Sequence, residues 1–222
     1  MKRHTQTGFT LVEIAIVLVI IGLLLGGILK GQEMITQAKI KNVVADFSGI
    51  SAAYYGYQDR YRAIPGDDSN ADTRWTTPTA ATKGNGNGVV EGTYNNGGAV
   101  CTAAVESCSW WDHLRRAGFV AGNGFLPPFN AVTGILGVQT GNGAATPATV
   151  MGGFGGLIIC SAGLPDKIAI AVDTQMDDGV ISSGTVRGQL HTAGPNPDIA
   201  AGAASAGYAE SGTNVYTLCR AL

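Results

Sequence analysis

One carboxylate stands inside the longest apolar stretch of this chain. Residues 9–29 form a run of 21 with a single charge, Glu13, near its start. A lone carboxylate near the start of a membrane helix costs up to roughly 3 kcal/mol. A buried charge becomes tolerable once it is paired. The chemistry that Glu13 offers is therefore charge pairing. Ahead of the run stands Gly8, which has no side chain to obstruct a protease at the membrane face.

Two other groups of residues could hold an ion. "KGNGNGVVEG", residues 83–92, looks like part of an EF-hand loop. With Lys83 in first place, Asn85, Asn87 and Gly88 take the third, fifth and sixth positions and Val90 the apolar eighth. Lys83 and Tyr94 stand where the first Asp and the twelfth Glu belong. Glu91, with Asp67, Asp68 and Asp72, could add oxygen ligands for calcium; a glycine-asparagine turn without metal is the alternative. Asp173, Asp177 and Asp178 form a second acidic cluster, open to the same two readings. Catalytic chemistry finds little support. The three histidines are His4, His113 and His191, and no nucleophile elbow, phosphate loop or histidine-metal spacing accompanies them. The expectation is a protein that is not an enzyme and that needs no cofactor, with Ca2+ the one ion to consider.

At 1.5 Å per residue the run from 9 to 29 would extend about 31 Å, the thickness of a bilayer core. A secretory signal would be shorter and would precede a small-residue cleavage site, which "GGILKGQEM" lacks. A plain signal anchor leaves Glu13 unexplained. "TGFTLVEIAIV" closely resembles the type IV prepilin processing motif, shared by type IV pilins and the pseudopilins of type II secretion. The resemblance implies that prepilin peptidase cuts between Gly8 and Phe9 and N-methylates Phe9, removing a leader, residues 1–8, that carries Lys2 and Arg3. It also implies that Glu13 meets the terminal amine of a neighbouring subunit and so acts in assembly. Many members carry a proline near position 30, where this chain has Lys30. Gly22/Gly26 and Gly27/Gly31 are spaced so that membrane helices can approach closely.

The elements that must position these residues follow from periodicity. Ile40, Val43, Phe47, Ile50, Tyr54, Tyr57 and Tyr61 recur every three or four residues, one face of a helix that should end before Pro65. This predicts an amphipathic continuation, residues 30–61, of the membrane and polymerisation helix, residues 9–29, and then a globular head, residues 62–222. "SWWDHLRRAGFV" reads as a short helix capped by Ser109, with His113 on its surface. "GLIICSA" and "KIAIAVD" read as two adjacent strands around Gly163-Leu164-Pro165, and "NVYTLCRAL" as a final strand. Two glycine- and alanine-rich stretches, residues 137–155 and 192–213, read as surface loops. The fold class is α+β: a long N-terminal helix packed on an antiparallel β-sheet head, as in pilins.

Composition fits this picture. Charged residues are only 14%, glycine is 33 of 222, and the net charge of −2 does not favour nucleic acid, except as a ligand in DNA uptake. The four cysteines suit an oxidising compartment and permit three pairings. Cys101 and Cys108 could clip one loop, which leaves Cys160 to join Cys219; a disulfide-bounded C-terminal region is typical of the pilins that the sequence resembles.

The resemblance implies a structural subunit of a type IV pilus-like filament serving adhesion, motility or DNA uptake. A secretion pseudopilin is the alternative within the superfamily. A surface-, DNA- or calcium-binding head on a pilin anchor is the alternative of another class. The partners implied are other pilins in a homo- or hetero-polymer, prepilin peptidase, the inner-membrane assembly machinery and the membrane itself. The precursor would lie in the bacterial inner membrane with its head outside the cytoplasm, and the product in an extracellular pilus or periplasmic pseudopilus.

Overall fold

The computed structural model describes residues 10–96, 101–191, 194, 196–199 and 206–222. These fall into two units, one ending at Ala38 and the other Lys39–Leu222. Helix α1, Leu11–Tyr61, contributes to both. No proline interrupts it. It ends where Arg62 turns to a left-handed φ of 56°, three residues ahead of Pro65.

The second unit adds helices α2 (Ala71–Arg74), α3 (Glu106–Arg116) and α4 (Asp166–Met176) to strands β1 (Leu136–Thr140), β2 (Leu157–Pro165), β3 (Val186–Leu190) and β4 (Val215–Ala221). The sheet order is β1-β2-β4-β3, with every neighbouring pair antiparallel. Side chains alternate across a pleated strand, and here both faces find cover. On one face Val138, Ile159, Leu164, Tyr216 and Leu218 share a core with the α1 residues Ile40, Val43, Phe47, Ile50, Tyr54 and Tyr57, and with Trp110, Trp111 and Leu114 of α3. On the other, Ile158, Cys160, Ala162 and Cys219 pack with Tyr94, Val150, Met151, Phe154 and Ile199. The aromatic stripe expected on α1 is thus core, with Tyr61 packed at its margin.

Three local expectations are corrected. "KIAIAVD" is not a strand but most of α4. Its buried residues, Ile168, Ala169, Val172 and Asp173, repeat at helical spacing, while Lys167 and Thr174 are exposed. Alanine at 169 and 171 favours the helix, and the Gly163 turn becomes an irregularity within β2. Residues 137–155 are not a surface loop throughout, since β1 is buried along its whole length. Gly137 serves close approach there: a Cβ would lie 2.0 Å from the Tyr94 carbonyl oxygen. Helix α3 begins at Glu106 rather than Ser109, whose hydroxyl instead donates to the Ala103 carbonyl at 2.9 Å. In the second glycine-rich stretch, residues 192, 193, 195 and 200–205 lie outside the described residues; of the others, Ile199 is buried and Tyr208 packs edge-on against Tyr216.

Disulfides join Cys101 to Cys108 and Cys160 to Cys219. The second links directly paired residues of β2 and β4.

Candidate functional site

Gly8 and Phe9 lie outside the described residues. The structure begins at Thr10, and there it shows a device that periodicity does not reveal. Thr10 precedes the first helical residue, Leu11, and Glu13 is the third residue of the helix. The Glu13 carboxylate accepts the Thr10 amide at 2.8 Å and the Thr10 hydroxyl at 2.7 Å, and the Thr10 hydroxyl accepts the Glu13 amide at 3.3 Å. This is a reciprocal capping box. Two backbone donors at the helix start gain partners, and the carboxylate sits at the positive end of the helix dipole. The pattern Thr-x-x-Glu ahead of an apolar run was the signal that could have disclosed it.

On both sides of Glu13 the apolar side chains of this segment are exposed. Leu11, Leu18, Leu23 and Leu29 are all more than 60% exposed. This helix is long and apolar enough to cross a membrane. Among the described residues, and apart from the helix's own backbone and chain neighbours, nothing lies within 4 Å of a Cβ built on Gly22, Gly26, Gly27 or Gly31. Lys30 pairs at 2.7 Å with Glu33, one exposed turn further on.

The second unit brings together the polar residues of the 83–92 loop. Asp67, only 4% exposed, receives the amides of Gly86 at 2.6 Å, Asn87 at 3.2 Å and Gly88 at 2.7 Å. Successive amides turned toward one carboxylate form an anion cradle. Asn85 and Asn87 donate their side-chain amides to Glu91 at 2.9 and 3.0 Å. Their oxygens accept the amides of Asn87 and Val89, which closes two local turns. Asn85, Asn87 and Glu91 are therefore adjacent, and the loop winds around the carboxylate of Asp67 from the segment after α1.

Asp68, beside Asp67, ties α1 to α2. It accepts the Tyr57 hydroxyl at 2.6 Å and the Asn70 amide at 2.9 Å, and it pairs with Arg74. Burial alone would push this carboxyl up, but those three donors outweigh it and hold it below the usual range.

His113 corrects the surface reading. Its side chain is fully buried. Nδ1 accepts the Gly66 amide at 2.9 Å, so Nε2 carries the proton that the Thr82 carbonyl receives at 2.7 Å. Both ring nitrogens are engaged in holding the 66–82 segment on α3, which leaves none for proton transfer. Burial, above all, keeps this imidazole below its ordinary pKa. His191, half-buried, meets the Thr217 hydroxyl at 2.6 Å.

Asp173, Asp177 and Asp178 converge at the end of α4, each offering an oxygen within 4.8 Å of the other two.

Comparison with known proteins places the strongest signal at the N-terminus. Residues 3–29 match a family model described as the prokaryotic N-terminal methylation motif, the signature of type IV pilins and prepilins. No curated protein and no solved structure matches. The motif supports a type IV pilin-like or pseudopilin-like protein. With the long helix and the antiparallel sheet, the architecture is α+β and pilin-like. Motif and apolar helix together fit a membrane-anchored precursor.

Proposed function

We propose that this protein is the structural subunit of a type IV pilus-like filament. Prepilin peptidase cuts the precursor between Gly8 and Phe9 and methylates Phe9. The membrane-spanning half of α1 then leaves lipid for a bundle of like helices. The observation that carries this reading is Glu13: an exposed carboxylate on an otherwise apolar helix start, inside the methylation motif at residues 3–29. Among the described residues it is hydrogen-bonded to Thr10, a neutral partner. In a filament the charged amine of a neighbouring Phe9 would meet it, and a partner found only on assembly drives assembly and sets axial register. Removal of the leader, with Lys2 and Arg3, takes the side-chain charge from −2 to −4 (−2 − 2).

The two disulfides support placement of residues 39–222 outside the cytoplasm, in an oxidising compartment. Both ring nitrogens of His113 are committed to backbone groups, in keeping with a structural rather than catalytic role.

The test is assembly of Glu13→Ala in the native host. The variant is expected in the membrane at wild-type level, with few or no filaments. Wild-type filament yield would remove the pairing argument. The place of the wild-type filament, outside the cell or in the periplasm, decides between pilus and pseudopilus.

A further inference from the structure

Asp173 lies in the last turn of α4 and is fully buried. Its Oδ2 accepts the Tyr208 hydroxyl at 2.6 Å, but its Oδ1 is buried with no hydrogen-bond partner. A buried carboxylate oxygen without a partner is costly. Its neighbours increase the cost. Asp177 and Asp178 each bring an oxygen within 4.8 Å. The carboxyl end of a helix is the negative end of its dipole, and α4 has no basic residue in its last turn.

The other two carboxylates are aimed by neutral donors. Asp177 Oδ2 receives the amides of Thr185 at 2.5 Å and Val186 at 2.9 Å. Asp178 receives the Val180 amide at 2.9 Å and the Ser183 hydroxyl at 2.6 Å. These bonds fix the direction of the carboxylates without cancelling their charge. Arg187 acts on Asp178 through space, yet its Nε and Nη1 donate to the carbonyls of Gly184 and Met151. The 83–92 loop presents no comparable demand, since Asp67, the carboxylate it wraps, already accepts three of its amides.

We propose that Asp173, Asp177 and Asp178 bind one calcium ion, which supplies the orphaned Asp173 oxygen with its partner. Three carboxylates make an all-oxygen, hard donor set, suited to calcium or magnesium and not to softer metals. An irregular loop favours calcium, which accepts six to eight oxygens in flexible geometry, whereas magnesium demands a near-ideal octahedron. Water fills the remaining positions. The ion staples the end of α4 to the loop that leads into β3 and, through Tyr208, to the segment before β4.

The experiment uses the full-length protein in detergent, stripped with chelator and titrated with terbium, which takes calcium sites. The Tyr208 phenol, hydrogen-bonded to Asp173, is placed to sensitise terbium luminescence. The expected result is emission on binding, its displacement by calcium far below the magnesium concentration needed, and a higher unfolding temperature with calcium. Asp178→Asn, at an exposed position, and Asp173→Asn should each abolish or strongly reduce both effects while keeping the native circular dichroism. No emission and no thermal shift in the wild type would overturn the proposal. So would signals undiminished in Asp178→Asn, which would place the ion elsewhere, or terbium binding that calcium does not displace.

Discussion

Thr10 and Glu13 close a hydrogen-bonded box on one another at the first turn of α1: the carboxylate takes both the amide and the hydroxyl of Thr10, and that hydroxyl takes the amide of Glu13. This box is the starting state for the proposed assembly. The carboxylate is not bare in the single subunit; it is held by a neutral partner three residues away. On the proposed assembly, neutral donors would be exchanged for a cation, and the net drive would be the difference between the two.

The box has a measurable consequence in the monomer. Thr10→Val removes the hydroxyl and leaves the Thr10 amide as the carboxylate's remaining local donor. Loss of an N-cap costs about 1 kcal/mol. Amide exchange at Glu13 in detergent micelles should then rise about fivefold, the equivalent of that energy. Unchanged exchange would show that the cap contributes nothing there.

The buried Tyr57–Asp68 bond, 2.6 Å long, fastens the last turns of α1 to the 67–74 segment. Tyr57→Phe keeps the packing on Trp75 and His113. It removes one of the donors that hold the Asp68 carboxylate charged. Deleting a donor to a buried charged group should cost about 1.5–3 kcal/mol. Thermal unfolding followed by near-ultraviolet circular dichroism would read this as a lower midpoint with an unchanged folded spectrum.

How much of this was legible in the residues depends on the range of the interaction. The α1 stripe from Ile40 to Tyr57 was readable because helical period and burial coincide over five turns. "KIAIAVD" was misread because alternating isoleucine and alanine satisfies a period of two as well as one of 3.6. The local start signal, Asp166 in a first turn directly after Pro165, is outweighed in that pattern by the apolar alternation. His113 was placed on the surface because its partners, the Gly66 amide and the Thr82 carbonyl, lie 47 and 31 residues away. Gly137 resembled loop composition, although what requires it is the carbonyl of Tyr94. The capping box was fully local and stood in the sequence; the stronger motif that overlaps it drew the reading elsewhere.

The disulfides should contribute unequally. Cys160–Cys219 closes a span of 59 residues and Cys101–Cys108 a span of 7. In the chain-entropy account the first restricts the unfolded chain by about 4 kcal/mol and the second by about 2–3 kcal/mol. The paired substitution Cys160→Ala with Cys219→Ala should therefore lower the denaturation midpoint more than Cys101→Ala with Cys108→Ala. The reverse order would mean that native packing, and not loop closure, sets the contributions.

Acid should weaken the fold through His113. Burial, first, and the Arg116 charge hold its pKa below the ordinary 6.5, against the pull of the Thr82 carbonyl and the charges of Asp68 and Asp112. The unfolded chain thus binds the proton more readily than the native one. This contribution to stability is complete above about pH 6.5 and declines as pH falls from there through the native value. His113→Gln should show a shallower loss of stability between pH 7 and about pH 5, whatever its absolute stability. The slope that remains would include His191, which burial also depresses. An unaltered slope would exclude His113 as its source.

A prepilin whose N-terminus is remade for assembly differs in mass from its encoded chain. The intact mass of the protein purified from its native membrane tests it most directly. The account predicts loss of Met1 through Gly8 and the gain of one methyl group on Phe9. A mature protein that still begins at Met1, or one cleaved elsewhere, would contradict it.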